Sequence, residues 1–403
     1  MTTKQIIEQG KRYILPTYAQ LPVVFTGGEG CMIYDADGRE YLDFVAGIAV
    51  NALGCGDDEL KQALHDVLDR GLTHCSNLYW NEPAVTAAAL LAELSGLEQT
   101  FFCNSGAEAN EAALKLARKF ASRTSQETSA NWVITMQQSF HGRTYGAITA
   151  TGQEKYHKGF APMMPGFRYA VFNDLSSVEM LIDDECCAVM VEPIQGEGGI
   201  IPAEQEFLQG LRDLCDRNNL LLIFDEVQCG IGRTGHPFAF QHYGVTPDVI
   251  TLAKGLGAGV PIGAMTVGGK AAGILQPGDH ASTFGGNLLS CTAAEVVLKR
   301  LGMKGFLDAV KAKGETLRGL LEQLKKEQDV ITDVRGVGLM QGIALNIPAG
   351  EVTKACMEHG LLLVAAGPQV VRFVPPLTVS EEEIHRAVDI LGSVLRQLAQ
   401  VQR

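Results

Sequence analysis

The sequence predicts an α/β fold in which a mostly parallel sheet is covered by helices on both faces. Three observations predict it. Apolar runs such as Leu220-Leu221-Leu222-Ile223-Phe224 and Val249-Ile250-Thr251-Leu252 are continuous rather than alternating, as in strands buried on both faces. About seven such runs alternate with helical periodicities between residues 100 and 267. Polar groups follow the runs, Asp225-Glu226-Val227-Gln228 after the first and Ala253-Lys254-Gly255 after the second, which places them at the carboxyl edge where such sheets bind ligands.

In chain order, residues 1–55 combine a short helical start with two strand-like pieces, Gly30 to Tyr34 and Glu40 to Phe44, joined by the turn Asp35-Ala36-Asp37-Gly38. The Gly47 to Gly56 region reads as a linker. From Asp57 the spacing of Leu60, Leu64, Val67 and Leu68 predicts a helix, and a second is expected over Glu82 to Leu94. The predicted strands are Thr100 to Cys103, Trp132 to Met136, Arg168 to Val171, Ala188 to Val191, Leu220 to Phe224, Val249 to Leu252 and Ile262 to Val267. Beyond Gly286 the chain is helical for some forty residues, through Leu298 and Leu324. It then returns to strands at Val330 to Val334, Met340 to Leu345, Leu361 to Val364 and Val370 to Phe373, and ends in a helix started by the Ser380/Glu383 capping box. The expected division is therefore 1–55 with 287–403 as a smaller α+β domain drawn from both chain ends, around a large domain at 56–286.

Composition narrows the function classes. At 403 residues, 46% of them hydrophobic and 20% charged, the chain can bury a sizeable core. Its 33 basic and 46 acidic residues give a formal charge of −13, which disfavours nucleic acid or an anionic membrane as partner. An anionic ligand must then be held by local groups. Ten cysteines, mostly inside apolar runs and without C-x-x-C spacing, read as reduced, buried thiols. Residues 1–18 carry no leader-like apolar core and no apolar run approaches 18 residues, so a soluble, cytoplasmic protein is expected.

Several segments could carry chemistry. Asp225 and Lys254 reach one edge of the sheet, where a structural ion pair is the simpler reading of two isolated positions. Ser105-Gly106-Ala107-Glu108 follows a strand and opens a helix, so its free amides and hydroxyl suit a phosphate, or merely cap the helix. In Phe140-His141-Gly142-Arg143, Phe140 could stack on a flat ring and Arg143 could grip a carboxylate. His141 is a weaker candidate, because no other His or Cys lies at ligand spacing and no metal site is supported. Glycines around Glu197 would let it approach a ligand or move. Ser282 and Thr283 precede two glycines and a helix, suited to a phosphate or to an ordinary N-cap. Gly230-Ile231-Gly232-Arg233-Thr234-Gly235 has the dinucleotide spacing, yet it lies five residues beyond its strand and leads into His236-Pro237 rather than a helix, which argues against that use.

Taken in order, Phe44 to Asn51, Phe102 to Glu111, Phe140 to Arg143, Glu192 to Gly199, Phe224 to Gly235, Ala253 to Gly255 and Thr283 to Asn287 resemble the class III, fold type I aminotransferases that depend on pyridoxal 5′-phosphate. The likeness to their acetylornithine aminotransferase branch spans nearly the whole chain. The resemblance implies that Lys254 holds the cofactor covalently and moves a proton, and that Asp225 keeps the ring nitrogen protonated. It places Val227 and Phe140 on the two ring faces, Gln228 at the phenolic oxygen, and Ser105, Gly106 and Ala107 at the phosphate. Glu226 is counted with the cofactor-binding residues, and Thr283 would reach the phosphate of a second copy in a homodimer. Arg143 and Arg372 would clamp carboxylates, Glu197 would neutralise Arg372 when the donor lacks a carboxylate near the reacting amine, and Ser282 would contact the acyl group.

The implied reaction is transfer of the terminal amine of N2-acetylornithine to 2-oxoglutarate, a step of arginine biosynthesis. N-succinyl-L,L-diaminopimelate, succinylornithine, ornithine and 4-aminobutyrate are the alternative donors, the first of them in lysine biosynthesis. A silent, regulatory pyridoxal-phosphate binder is the alternative of a different class.

Overall fold

The structure is a computed structural model that describes residues 1–124 and 131–401; residues 125–130 and 402–403 lie outside the described residues. Its centre is a seven-stranded sheet in the spatial order Gln99–Cys103, Gly263–Val267, Val249–Leu252, Leu221–Asp225, Cys186–Val191, Trp132–Met136, Phe167–Ala170. Each predicted strand is present, with ends shifted by one or two residues. The four central strands are buried along almost their whole length, as continuous Val, Ile and Leu runs require when helices cover both faces.

Direction was not foreseen for one strand. Gly263–Val267 runs antiparallel to both of its neighbours, while the remaining ladders are parallel. Its beginning, not its end, therefore reaches the ligand edge, and this brings Val260, Pro261 and Ile262 to the cavity described below.

Two further sheets use both chain ends. Phe25–Glu29, Met32–Asp35 and Glu40–Asp43 form a meander to which Leu361–Leu362 adds a parallel strand, and Ile331–Val337, Met340–Leu345, Val370–Phe373 and Val364–Ala365 form the other. The single strand expected at Leu361 to Val364 is thus divided between two sheets. Phe25–Glu29 was not expected, since its sequence Phe-Thr-Gly-Gly-Glu offers no apolar pattern. Helices Leu288–Gly302 and Phe306–Glu327 fill the forty-residue helical stretch, and Glu381–Val401 opens with Glu383 accepting from Ser380 N at 2.7 Å. Among the described residues, no helix is long and apolar enough to cross a membrane.

The expected linker after Gly47 is in fact a strained turn. Asp43 accepts hydrogen bonds from the Val45 and Ala46 amides, and Ala46, Ile48 and Ala49 all take positive φ, 48°, 66° and 62°. A β-branched residue avoids that conformation unless its surroundings impose it. Here it carries Val50 into the cavity wall.

Candidate active site

A cavity of about 360 Å³ opens at the carboxyl edge of the central sheet. Its walls come from the ends of separate elements: Ser105, Gly106 and Ala107 from the start of one helix, Phe140 and His141 from the loop after Met136, Glu192 after Val191, Asp225, Val227 and Gln228, and Lys254. Strand ends converge here because every parallel strand feeds its following loop to the same edge.

Asp225 is the last residue of its strand and 3% exposed. Its Oδ1 accepts from the Val227 amide at 3.0 Å, and its Oδ2 lies 2.8 Å from both Asn110 Nδ2 and His141 Nδ1. Asn110 is itself fixed, because its Oδ1 accepts from Thr251 Oγ1 at 2.6 Å while its Nδ2 also donates to the His141 carbonyl. Burial works against a charged His141, but the Asp225 carboxylate prevails and raises its pKa. Asp225 is thereby locked with its charge towards the cavity.

Lys254 lines the same cavity, and its amine makes no ion pair or hydrogen bond among the described residues. The structural ion pair with Asp225 is absent. Its amine is enclosed below the protein surface, and burial, aided by the Arg372 cation, lowers its pKa to about 8. The residue is held at φ 44°, an uncommon conformation for lysine that ends the strand abruptly and turns the side chain inward.

Gly106 and Ala107 occupy the first two positions of the helix Gly106–Thr124, where amides have no carbonyl one turn back to bond. Glu108 closes the cap from below, accepting from Asn104 N and Ser105 Oγ. A Cβ added at Gly106 would lie 2.7 Å from the Val227 side chain, so a side chain there would close the cradle.

Arg372 is buried on the strand Val370–Phe373 and donates to Glu197 Oε1 at 2.5 Å and to Gln228 Oε1 at 2.8 Å. Burial opposes ionisation of Glu197, but the Arg372 cation overrides it and holds the carboxyl below its ordinary range. Arg143 is exposed at the rim, its guanidinium 4.2 Å from the Tyr156 ring centre and 5.5 Å from that of Phe140.

Six of the expected site residues lie off the cavity wall; Arg372 and Glu197 reach it only through Gln228. Arg143 is the rim residue just described. Thr283 is exposed, beside Phe284, which is 61% exposed. Ser282 Oγ is engaged by Asn104 Nδ2 and the Gly285 amide and lines a separate cavity with Tyr79 and Trp80. Glu226 points away from the cavity: fully buried, it accepts from the Ala239 and Phe240 amides and caps the helix Ala239–Tyr243. Gly232 and Gly235 at φ 80° and 83° shape a loop whose Arg233 donates to the carbonyls of Leu339 and Pro375, so the glycine-rich segment binds the C-terminal part of the chain rather than a dinucleotide.

Burial raises Glu226 to about 8, against the partial relief given by the two amides. Through the interval from its unfolded value, near 4.5, to about 8, the folded state keeps a proton that the unfolded state has lost, so rising pH lowers stability. A glutamine in its place cannot titrate. In thermal denaturation of Glu226→Gln and the parent, the Tm difference is expected to shift in favour of the variant from pH 5 to pH 8; a constant difference would remove this role.

Asn110, Glu192 and Val50 were not singled out from the sequence. Asn110 follows Gly106 by one helical turn on the same face, a spacing that points to it once the helix start is fixed. Glu192 directly follows the buried run that ends at Val191, the same signal that marks Asp225. It accepts from the Phe140 and Gly196 amides, tying together the loops that hold Phe140 and Glu197, and burial raises its pKa to about 7.

The profile of the family described as aminotransferase class-III matches residues 13–395. An acetylornithine aminotransferase of Caldanaerobacter subterraneus is 50% identical over 394 residues, covering 98% of this chain and 100% of that one. A succinylornithine transaminase of Yersinia pseudotuberculosis is 47% identical, covering 96% of each. Among solved structures, an ornithine aminotransferase from Toxoplasma gondii, described with partial occupancy of PLP at its active site, superposes with a TM-score of 0.94 at 32% identity, covering 99% of this chain and 95% of that one.

Proposed function

Because the chain belongs to the class-III aminotransferases, we propose that it transfers the terminal amine of N2-acetylornithine to 2-oxoglutarate, giving N-acetyl-L-glutamate 5-semialdehyde and L-glutamate, with pyridoxal 5′-phosphate as cofactor. The observation that carries this reading is the buried Arg372–Glu197 pair beside an unpartnered Lys254. A donor without a carboxylate near its reacting amine meets an arginine already neutralised by Glu197. Glutamate brings a carboxylate that takes the place of Glu197.

The residues present suit the cofactor. The cradle at Gly106 is one that a single Cβ would fill, the helix start offers free amides, and a carboxylate and an amine line the same cavity. Bound there, the cofactor supplies an electron sink for the bond broken at the substrate carbon. Ser105 and the Gly106 and Ala107 amides would hold its phosphate, Val227 and Phe140 would flank its ring, and Asp225 would keep a proton at the ring nitrogen. Lys254, neutral in useful proportion near pH 8, would carry the proton to and from the substrate carbon. Arg143, already oriented by Tyr156, would grip the second carboxylate of the substrate.

Thr283 and the exposed Leu78, Tyr79, Trp80 and Phe284 form a surface suited to a second copy, so a homodimer in which Thr283 completes the partner's phosphate site belongs to the same reading. A second donor, N2-succinylornithine, is favoured by the succinylornithine transaminase relative; the two donors differ only in the acyl group.

The test is single-turnover bleaching of the visible cofactor band by acetylornithine, succinylornithine, ornithine, N-succinyl-L,L-diaminopimelate and 4-aminobutyrate. Acetylornithine is expected to give the highest kcat/KM. Faster bleaching by succinylornithine would select the second donor, and none by any amine would remove the reading. In the same assay Glu197→Ala should slow the acetylornithine half-reaction about tenfold more than the glutamate one, since it leaves Arg372 buried and unpaired only in the former. Equal losses would sink the exchange.

A further inference from the structure

Gln228 stands where Glu197 and Arg372 meet, and it is 8% exposed. Arg372 Nη1 donates to its Oε1 at 2.8 Å, and its Nε2 donates to Glu197 Oε1 at 3.4 Å. With Arg372 Nη1 also on Glu197 Oε1, the three side chains form a closed triangle. A guanidinium only donates and a carboxylate only accepts, so the amide has one possible orientation.

The members of this triangle differ in how firmly they are held. Arg372 lies in a strand paired on both sides, opposite Gly342 and Val364. Gln228 is pinned by packing: a Cβ built on Gly196 would fall 2.5 to 2.7 Å from the atoms of its amide, so glycine at 196 is what lets the amide sit there. Glu197, in contrast, lies in a loop with Gly196, Gly198 and Gly199, the last at φ 112°. Glu197 is the part that can leave.

We propose that Gln228 is the specificity-determining residue of this exchange, a neutral acceptor that holds Arg372 without neutralising it and a latch that keeps Glu197 over it. The proposal rests on the aminotransferase reading above. While Glu197 is in place, the amide donates to it and the amine-donor state is favoured. Once Glu197 has moved, Gln228 still orients Arg372 but adds no negative charge, so the guanidinium keeps its attraction for the carboxylate of glutamate. A carboxylate at position 228 would remove that attraction permanently.

Two substitutions in the cofactor-loaded enzyme, measured by single-turnover kinetics in each half-reaction, test this with opposite signs. Gln228→Met loses the latch and should lower the ratio of acetylornithine to glutamate kcat/KM about fivefold. Gln228→Glu should raise that ratio at least about a hundredfold, by suppressing the glutamate half-reaction. Titration with glutarate, which has both carboxylates and no amine, reads the charge on Arg372 without turnover: Gln228→Glu should weaken its binding by a similar factor and Gln228→Met should not. A bond from Gln228 to the phenolic oxygen of the cofactor would change both half-reactions together and leave the ratio still. A ratio within about twofold of the parent in either variant overturns the proposal, whereas failure of the parent to bleach with any amine would overturn the functional reading instead.

Discussion

Lys254→Ala is expected to lower transfer by about four orders of magnitude, the upper range for removing a positioned proton carrier, while leaving the fold intact. The amine has no hydrogen-bond or ion-pair partner among the described residues, so its loss strands no other group. Compared without cofactor, removing an enclosed amine with a depressed pKa also relieves a desolvation cost, and the cofactor-free variant should be at least as heat-stable as the cofactor-free parent. Steady-state assays with acetylornithine and 2-oxoglutarate, alongside thermal denaturation of both proteins, check the pair of outcomes. Retention of more than about one hundredth of the parent activity would remove Lys254 from the proton path.

Asp225→Asn should cost about three orders of magnitude in turnover and, unlike the lysine change, should also destabilise the protein. The reason is hydrogen-bond polarity. Asn110 has its oxygen committed to Thr251 and presents its NH2 to Asp225 Oδ2, while the other carboxylate oxygen accepts from the Val227 amide. An asparagine at 225 has one oxygen and one NH2, so either orientation sets a donor against a donor in a buried site. Loss of about 1 to 3 kcal/mol is expected from urea denaturation. Catalysis suffers separately, because the side chain no longer carries the charge proposed to hold a proton on the ring nitrogen. A variant as stable as the parent would mean that the Asn110 network can rearrange.

These two residues were legible in the sequence because each ends a buried apolar run, and a strand that is buried on both faces leaves its chemistry to its carboxyl end. The strands themselves were legible for the same reason. What the runs do not encode is direction, so the antiparallel Gly263–Val267 strand, and with it Ile262 in the cavity wall, came only with the structure. Glu226 was misplaced by adjacency. Successive residues leaving a strand face opposite ways, so with Asp225 towards the cavity its neighbour points into the helix layer, where two free amides at Ala239 and Phe240 receive it. His141 and Asn110 matter through a partner more than eighty residues away, a relation that no local pattern carries.

The short segment from Leu361 to Ala365 belongs to two sheets: Leu361–Leu362 runs beside Glu40–Asp43, and Val364 stands opposite Arg372. The Phe44 amide donates to the Leu362 carbonyl and the Val374 amide to that of Phe44, so Phe44 ties the segment before Val364 to the residue that follows the strand bearing Arg372. The C-terminal hundred residues are consequently not an interchangeable module. A chimera that exchanges them with a relative to alter substrate choice must carry Glu40 to Phe44 along, or the imported arginine will arrive on a strand whose supporting neighbour was shaped for another protein.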